Sequence, residues 1–346
     1  MAFPVSLPNS RVPDPAEAPP LRWGILAPGW IARAFATALR ASTRQQIVAV
    51  GSRSLERAKE FAAEFDVPVA YGSYEQLVAD PKVQAIYVAS PHSEHAEQAL
   101  LAIKAGKHVL VEKAFTRNAA EARKVVNAAR EHGVGLMEAM WTRFLPRTDI
   151  VRQLLADGVL GELETFIGDH GQSLEHVARM MRPELAGGAL LDLGIYPVSY
   201  SFFALGRPGR IRATGELTAT GVDRQLSITF GDYQNHPHAQ AMVNTTLAAK
   251  TPTTVSISGT GARIELDGDF YTPGQVRLVS PSGEVLVSPP DVMVAHEGLA
   301  YEAAHFAQLI VDGFTESPQL PLAETVAIME VLDEVRHELG VRFPKS

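Results

Sequence analysis

The chain has 346 residues, of which 46% are hydrophobic and 20% are charged, and its net charge is −8 at pH 7. This length accommodates two domains, or one large domain with an inserted partner, and the composition is that of an ordinary globular protein. No basic run occurs, so nucleic acid and anionic membranes are not expected partners. The sequence contains no cysteine, which excludes disulfides, thiolate nucleophiles and cysteine metal ligands.

The first twenty residues contain six prolines and lack both the charged start and the apolar core of a signal peptide. This composition predicts either a disordered, loose tail or an arm that lies over a neighbouring subunit. No apolar run approaches the roughly 20 residues of a membrane span. We therefore expect a cytoplasmic protein without membrane contacts, although the sequence itself leaves the compartment open.

Residues 21–39 have the pattern of an apolar strand, a tight turn and an amphipathic helix. Such a unit brings a helix N-terminus, with its unpaired N–H groups and partial positive charge, to a sheet edge where a pyrophosphate can bind. Gly29 would let the backbone approach the phosphates, and Ala32 would let the helix lie close to the strand. Ala27 replaces the first glycine of the usual G-x-G-x-x-G/A fingerprint, so the motif alone is weak, and small residues could serve packing alone.

The second apolar strand, residues 46–50, is followed by Ser52 and Arg53, where an NAD-binding fold places an acidic residue. A guanidinium matches the 2′-phosphate of NADP in geometry and charge. Ser52, Arg53 and Arg57 therefore favour NADP, with NAD possible. The alternative is that both arginines only solvate the start of the helix predicted over residues 55–65.

Strands and helices continue to alternate up to residue 146. The patterns predict strands at 85–89, 108–111 and 135–140, and helices at 95–105 and 119–131. This alternation indicates a doubly wound parallel sheet. We assign residues 1–20 to the tail and residues 21–145 to a dinucleotide-binding Rossmann domain.

Beyond residue 146 the pattern changes. A helix (148–157) and a strand (164–168) precede a polar loop that carries His170 and His176, and a glycine-rich stretch (187–206) then opens a buried helix. Seven alternating runs between 211 and 287 predict consecutive, mostly antiparallel strands, because their connections are too short for crossovers. Helices at 296–312 and 323–339 complete an α+β domain (146–346) with a large open sheet, and the last helix could pack back on the first domain. The predicted fold class is therefore α/β.

An open antiparallel sheet with helices on one face needs cover or solvent on the other. Seven strand residues mix polar and apolar character, which suits an interface between subunits. We therefore expect a homodimer or a higher homo-oligomer formed through the open sheet. The seven are Thr229, Met242, Asn244, Thr246, Thr254, Ser256 and Ser258.

Taken in order, these motifs resemble the Gfo/Idh/MocA family of NAD(P)-dependent oxidoreductases, and within it the branch of dimeric dihydrodiol dehydrogenases and aldose dehydrogenases. The likeness runs from about residue 21 to residue 344. It implies a nicotinamide cofactor and a sugar or vicinal diol substrate. The matching motifs are GILAPGWIA at 24–32, SPHSEH at 90–95, GKHVLVEK at 106–113, EAMWTRFLP at 138–146, DLGIYP at 192–197 and ESP at 316–318.

The resemblance implies a catalytic lysine and tyrosine. The family's Glu-Lys-Pro motif is here Glu112-Lys113-Ala114, which keeps the lysine but loses a proline that would fix the backbone. In the family's D-x-G-x-H-x-x-D motif, Tyr196 takes the histidine position, as in the branch named above, and Ser199 takes the last aspartate position. Free tyrosine has a pKa of about 10, and a nearby ammonium favours the phenolate, so Lys113 and Tyr196 could shuttle a proton.

Further site residues follow from the same resemblance. Asp192, Trp141 and Arg143 are expected at the substrate, and Lys113 also at the cofactor. The remaining expected cofactor contacts are Ala27, Pro28, Gly29, Trp30, Ile31, Ser52, Arg53, Arg57, Ser90, Pro91, His92, His95 and Glu112.

Each of these roles has a plainer alternative. Lys113 could be a solvated lysine, Tyr196 a packed aromatic, Asp192 a helix N-cap, and Trp141 part of the core. His92 and His95 have a spacing that a metal site could use, but the sequence nearby offers no third ligand and the family needs no metal. We therefore expect no metal.

The leading hypothesis is an NADP-dependent enzyme that transfers hydride between the nicotinamide and a sugar or vicinal diol, or its carbonyl product. One alternative is a non-catalytic NADP-binding regulatory protein of the same fold, since a fold does not fix a function. Another is a closed cycle that couples two sugars through a tightly held cofactor.

Overall fold

The computed structural model describes residues 3–344, and the chain divides by its internal contacts into two compact units. The parallel-sheet unit comprises Pro13–Phe144 and Ala295–Val326. The mixed-sheet unit comprises the chain up to Val12, Leu145–Val294, and the chain from Ala327 onward.

The parallel-sheet unit is built on six parallel strands in the order β3-β2-β1-β4-β5-β6. This order confirms the predicted doubly wound sheet. The strands are β1 (Arg22–Leu26), β2 (Gln46–Gly51), β3 (Val69–Tyr71), β4 (Ala85–Val88), β5 (His108–Glu112) and β6 (Leu136–Ala139); the helices are α1 (Trp30–Ser42), α2 (Leu55–Glu64), α3 (Tyr74–Ala79), α4 (His95–Lys104) and α5 (Ala119–His132).

Buried apolar runs form these strands, and short polar residues begin several of the helices. Ser54, Ser73 and Asn118 each accept a hydrogen bond from the backbone N–H three residues later, which caps α2, α3 and α5. Gly133 closes α5 in the left-handed conformation, with φ 62°. The sequence does not predict β3 and α3. β3 has three residues and α3 has six, and both are too short to show a clear periodicity.

The mixed-sheet unit contains eight strands in the order β14-β13-β12-β11-β7-β10-β9-β8. β10 pairs with β7 in parallel and the other neighbours pair antiparallel, which confirms the predicted mostly antiparallel sheet. Its elements are α6 (Pro146–Ala156), β7 (Leu163–Gly171), α7 (Ile195–Leu205), β8 (Arg210–Leu217), β9 (Asp223–Gly231), β10 (Gln240–Thr246), β11 (Val255–Gly259), β12 (Arg263–Leu266), β13 (Arg277–Val279) and β14 (Val285–Val287).

One face of the mixed sheet packs against α7 and the other is exposed. On the exposed face Ile167 and Met242 lie opposite each other on β7 and β10, and they are 47% and 44% exposed. Thr229, opposite Met242 on β9, and Asn244, two residues further along β10, are also exposed on this face. Two apolar side chains thus lie at the centre of a flat, mostly polar surface, which we call the open face.

One residue predicted on the open face lies elsewhere. Thr246 is buried at the end of β10, where its hydroxyl accepts a hydrogen bond from the Ala248 backbone N–H. Its carbonyl also accepts a hydrogen bond from the Gln172 N–H. The residues that follow β10 and β7 therefore bury Thr246, although strict alternation along β10 would place its side chain on the exposed face.

Two helices close the chain, α8 (Leu299–Val311) and α9 (Leu322–Leu339). The sequence analysis assigned residues 295–326 to the second domain, whereas their contacts group them with the parallel-sheet unit. The physical reason is that α8 packs on α1 and brings Phe306 against Trp23 of β1, with ring centroids 5.6 Å apart. Sequence order alone does not reveal such a return to the first sheet.

The N-terminal segment makes specific contacts with α6. The backbone N–H of Arg11 donates to the Asp149 carboxylate at 2.7 Å, and its guanidinium donates to the other oxygen at 2.9 Å. The Asn9 carbonyl accepts a hydrogen bond from Gln153. Residues 9–11 thus lie along a helix of their own chain.

One stretch, Pro183–Leu205, has the length of a membrane span, 23 residues, and an 18-residue window within it has a mean hydropathy of 1.3. This corrects the expectation that no apolar stretch approaches that length. In the structure 94% of the apolar window is buried, as in the core helix of a folded domain.

Candidate functional site

The turn between β1 and α1 has the geometry of a phosphate-binding turn. Gly29 is the N-cap of α1. Because glycine has no side chain, it accepts no side-chain hydrogen bond from the first N–H groups of this 13-residue helix. A Cβ at Gly29 would meet nothing closer than the Ala89 carbonyl at 3.9 Å, so a ligand can approach the backbone there. Pro28 lies between this cap and Ala27, and these residues fit the pyrophosphate of a dinucleotide.

Ala27, at the position of the missing glycine, has a backbone conformation that is uncommon for alanine. Its φ is +67°, in the left-handed region that glycine prefers. Its N–H donates to the Gly51 carbonyl at 3.1 Å and its own carbonyl accepts from Gly29 at 2.8 Å. The turn therefore keeps a glycine-like conformation without the glycine.

A cavity of about 670 Å³ opens beside the ends of β2 and β3. Arg53 lies in its wall and hydrogen-bonds to Tyr74, whose pKa is raised by burial. Ser52 is buried and accepts a hydrogen bond from the Ser54 N–H. Arg57 is exposed on α2, and neither Ser52 nor Arg57 lines the cavity, so of these three residues the structure brings only Arg53 to its wall.

His95 joins the chain segments that follow β4 and β5. Its Nε2 lies 2.8 Å from the Ser90 carbonyl and its Nδ1 lies 2.9 Å from the Ala114 carbonyl. Burial lowers the pKa of His95 to about 4, and the charge of Lys113 lowers it further, whereas the hydrogen bonds to backbone carbonyls raise it. His92 meets this ring edge to face at 5.7 Å. Both ring nitrogens of His95 therefore face backbone carbonyls, which is a positioning role and not that of a metal ligand.

Lys113 follows the last residue of β5, and the Lys113–Ala114 peptide bond is cis. The Glu112 carboxylate accepts hydrogen bonds from the Tyr87 hydroxyl and from the Lys113 backbone N–H. The charge of Lys113 also acts on His296, whose pKa is lowered first by burial and then by this charge. Lys113 thus lies among a carboxylate and two imidazoles at the carboxyl edge of the parallel sheet.

Three aromatic rings continue this edge. Trp141 stacks on His296 with centroids 5.5 Å apart, and Trp30 meets the same imidazole edge to face at 5.2 Å. Trp30 is 59% exposed at the start of α1, where a ligand could pack on it. Sequence reasoning missed His296, because it comes from a segment 155 positions beyond Trp141 and belongs to no motif.

Arg143 is buried, and its expected contact with substrate stays a prediction. Its buried guanidinium donates to Glu324 at 2.8 Å and to the Gln319 carbonyl at 3.2 Å. These contacts hold the segment 319–324 to the unit. The structure adds no support to the expected contact with substrate.

In the mixed-sheet unit Tyr196 lies on the first turn of α7 and is 7% exposed. Its ring packs against His170 and Tyr271 at centroid distances of 5.3 and 4.9 Å, and those two rings stack at 4.5 Å. We call these three side chains the tyrosine cluster. The Gln172 amide lies 3.0 Å from His170 Nε2 and 3.3 Å from the Tyr271 hydroxyl. Burial raises the pKa of Tyr271 to about 12, so this second phenol stays neutral.

His170 corrects a sequence expectation. It lies near the end of β7, not in a polar loop, and β7 runs three residues beyond the predicted strand. The predicted strand ended at Gly168, and the polar residues that follow have the composition of a loop. Pairing of His170 with Thr245 on β10 carries the strand onward. Tyr271 has no sequence signal, because it lies in the connection after β12.

Asp192 lies in a π-helical turn, Leu190–Gly194, directly before α7. Its carboxylate is 3.2 Å from the Arg179 guanidinium. The helix N-cap is Gly194 without a side-chain bond, so the alternative role of Asp192 as its cap is wrong. Asp192 is instead held one turn before Tyr196 with a charged partner.

The turn that carries Asp192 is fixed by a second carboxyl. Buried Asp223 accepts a hydrogen bond from the Leu190 N–H at 2.5 Å, and burial raises its pKa to about 7. Gly188 has φ +115°, and a Cβ there would lie 2.3 Å from the Asp223 carboxylate. Only glycine fits at this close approach, and the sequence does not reveal the role of Asp223.

Comparisons with known proteins agree with this arrangement. The model of the oxidoreductase family GFO/IDH/MocA, with an NAD-binding Rossmann fold, matches residues 21–140, and the model of its C-terminal domain matches residues 149–265. A trans-1,2-dihydrobenzene-1,2-diol dehydrogenase from Macaca fascicularis is 39% identical over 333 residues, which cover 94% of this chain and 99% of that protein.

Two solved structures share the whole architecture. The 3-ketoreductase KijD10 from Actinomadura kijaniata, in complex with NADP and TDP-benzene, is 27% identical with a TM-score of 0.80 over 93% of this chain and 98% of that chain. Levoglucosan dehydrogenase in complex with NADH and levoglucosan is 19% identical with a TM-score of 0.83, over 95% and 100% of the two chains.

Proposed function

The chain belongs to the Gfo/Idh/MocA family of NAD(P)-binding oxidoreductases, and on that premise we propose that it oxidises a cyclic vicinal diol or a sugar with NADP, or catalyses the reverse reaction. The observation that carries the proposal is the tyrosine cluster. It presents a buried phenol, on the first turn of α7, among two further aromatic side chains that are themselves polar.

The surroundings of Tyr196 suit a ring-shaped substrate that carries hydroxyl groups. The faces of aromatic rings pack well on the apolar faces of a cyclic molecule. Gln172, Arg179 and Asp192 provide donors and acceptors next to the cluster. The relative named for a dihydrobenzene diol and the neighbour solved with levoglucosan both point to this class of compound.

The proposed chemistry separates hydride and proton transfer. The bound nicotinamide would accept the hydride from the carbon that carries the hydroxyl, or return it in the reverse direction. Tyr196 takes the hydroxyl proton as a phenolate and becomes a neutral phenol, while the C–O bond becomes a carbonyl. Lys113 favours the phenolate through its positive charge. Asp192 orients the substrate or the tyrosine.

The same proposal assigns NADP to the cavity beside β2. A 2′-phosphate fits the guanidinium of Arg53 and the hydroxyl of Ser52. The wall also holds three carboxylates and one further cation, so selectivity rests on a direct contact with Arg53 and not on a general positive charge. These other wall groups are Glu75, Glu94, Glu97 and Lys104.

Replacement of Arg53 by alanine is therefore expected to raise the Kd for NADPH about 10-fold to 100-fold, because a charge-assisted hydrogen bond contributes about 1.5–3 kcal/mol. The Kd for NADH should change by less than about threefold. Fluorescence titration with each nucleotide measures both values. Arg40→Ala is the control, since Arg40 pairs with Asp66 on the surface of the same unit. Equal losses for the two nucleotides would reject the phosphate contact.

We further propose that two copies of the chain associate through the open face. Ile167 and Met242 are exposed directly opposite each other on two neighbouring strands of this face. A double substitution, Ile167→Glu with Met242→Glu, places like charges at the centre of such an interface and should convert the oligomer to monomer. Sedimentation equilibrium measures the mass. Val311→Glu, at an exposed valine of α8, is the control. An unchanged mass in the double variant would place the interface elsewhere.

A further inference from the structure

Three glutamates lie buried in the parallel-sheet unit behind Lys113. Glu112 ends β5, Glu138 lies on β6, and Glu302 lies in the first turn of α8. The side chain of Glu302 is 0% exposed, and the other two are nearly as deeply buried. Glu112 and Glu138 both act on Glu302 by like-charge repulsion. We call this group the glutamate cluster.

The three carboxyls differ in the donors that surround them. Glu112 accepts hydrogen bonds from the Tyr87 hydroxyl and the Lys113 N–H. Glu138 accepts one from the Phe115 N–H at 3.1 Å and faces the charge of Arg143. Within residues 3–344, neither oxygen of Glu302 has a hydrogen-bond partner. Donors therefore stabilise a charge on Glu112, and none stabilises a charge on Glu302.

A buried carboxylate without partners is strongly disfavoured, so the group binds a proton instead. Burial, and then the charges of Glu112 and Glu138, raise the pKa of Glu302 well above its ordinary value. Burial also raises the pKa of Glu138 to about 7. The donors around the cluster thus favour a charge on Glu112, next to the lysine.

The other charged groups around the cluster are already engaged. Arg143 pairs with Glu324, and on α8 itself His305 contacts the Ser317 hydroxyl at 2.8 Å. Lys113 donates its backbone N–H to Glu112, and His95 lies between the Ser90 and Ala114 carbonyls. None of these groups provides Glu302 with a counter-charge.

We propose that Glu302 is a positioning residue of the lysine site, held as a neutral acid so that Glu112 keeps its hydrogen bonds to Tyr87 and to the backbone of Lys113. Ionisation of Glu302 would place a second buried negative charge against Glu112 and displace it from these donors. The site of Lys113 therefore loses its support at alkaline pH. This inference rests on the proposed catalytic role of Lys113.

The test uses Glu302→Gln, which keeps the shape of the side chain and stays neutral at every pH. Because the folded pKa of Glu302 lies above the unfolded value, the wild type loses stability as pH rises from the unfolded value through the folded one, and the variant does not. The Tm of Glu302→Gln minus that of the wild type should therefore increase as pH rises above about 5, just above the ordinary pKa of a glutamate. Glu131→Gln, at an exposed glutamate of α5, should show a constant difference.

Two further readouts complete the test. In infrared spectra near neutral pH, the wild type should show the carbonyl stretch of a protonated, slowly exchanging carboxylic acid that Glu302→Gln lacks. In the pH profile of kcat, the variant should keep the wild-type rate near neutral pH and retain activity at alkaline pH where the wild type declines.

A Tm difference independent of pH, or the absence of the infrared band from the wild type, would overturn the neutral acid. An unchanged alkaline limb would overturn the positioning role. Full activity of Lys113→Met would instead reject the proposed function, and the Tm and infrared results would still report on Glu302.

Discussion

Tyr196→Phe is expected to lower kcat by about 10²-fold or more, with the affinity for NADPH and the Tm close to those of the wild type. The substitution removes only the phenolic hydroxyl, which the proposed mechanism needs as proton acceptor and donor. The ring remains and can still pack on His170 and Tyr271 at the distances observed. Steady-state kinetics at the nicotinamide absorbance, with separate nucleotide titrations, distinguish a loss of chemistry from a loss of binding.

The matched control is Tyr200→Phe, one helical turn further along α7. Tyr200 is also buried, and its ring packs on Phe203 and Phe270. This variant loses the same hydroxyl from the same helix, so it reports the structural cost of such a change. A Tyr196→Phe enzyme as active as the Tyr200→Phe enzyme would remove the tyrosine from the mechanism.

Lys113→Met is expected to produce a loss of similar size, about 10²-fold in kcat, because the positive charge that favours the phenolate is removed. For the oxidation direction, the limb of the pH profile that rises with tyrosine ionisation should move to higher pH, since a phenol without a nearby cation ionises later. Lys124→Met, at an exposed lysine of α5, is the control. A proportional loss at every pH would contradict the electrostatic role.

The double variant Lys113→Met with Tyr196→Phe makes the pairing itself testable. Two residues that act as one unit show strongly non-additive losses, so the double variant should be hardly slower than either single variant. Two independent residues would multiply their effects, to about 10⁴-fold. Single-turnover measurements keep product release from masking the comparison.

The sequence predicts the two sheets well, because apolar runs bounded by glycine and proline mark the strands. It does not predict that β7 and β10 pair in parallel, since about 70 residues separate these strands and no local pattern links them. It also does not show that the contacts of α8 group it with the parallel-sheet unit. The packing of Phe306 on Trp23 is a contact between distant segments, which composition does not encode.

The candidate site shows the same division. Gly29, Arg53 and His95 belong to contiguous motifs. In the structure they lie at the start of α1, in the wall of the cavity beside β2, and in the segment after β4. The residues that surround them from other elements leave no trace in local sequence. Those to which no sequence pattern pointed are Asp223, Tyr271, His296 and Glu302, whereas His170 was expected in a polar loop.

The most direct test of the account is the reduction of NADP⁺ by the wild-type protein in the presence of a panel of cyclic vicinal diols and sugars, with NAD⁺ measured in parallel. We expect NADPH formation with at least one member of the panel and a higher kcat/KM for NADP⁺ than for NAD⁺. Tight binding of NADPH with no nucleotide reduction by any member would contradict the account, and would identify a protein that binds the nucleotide without catalysing a reaction.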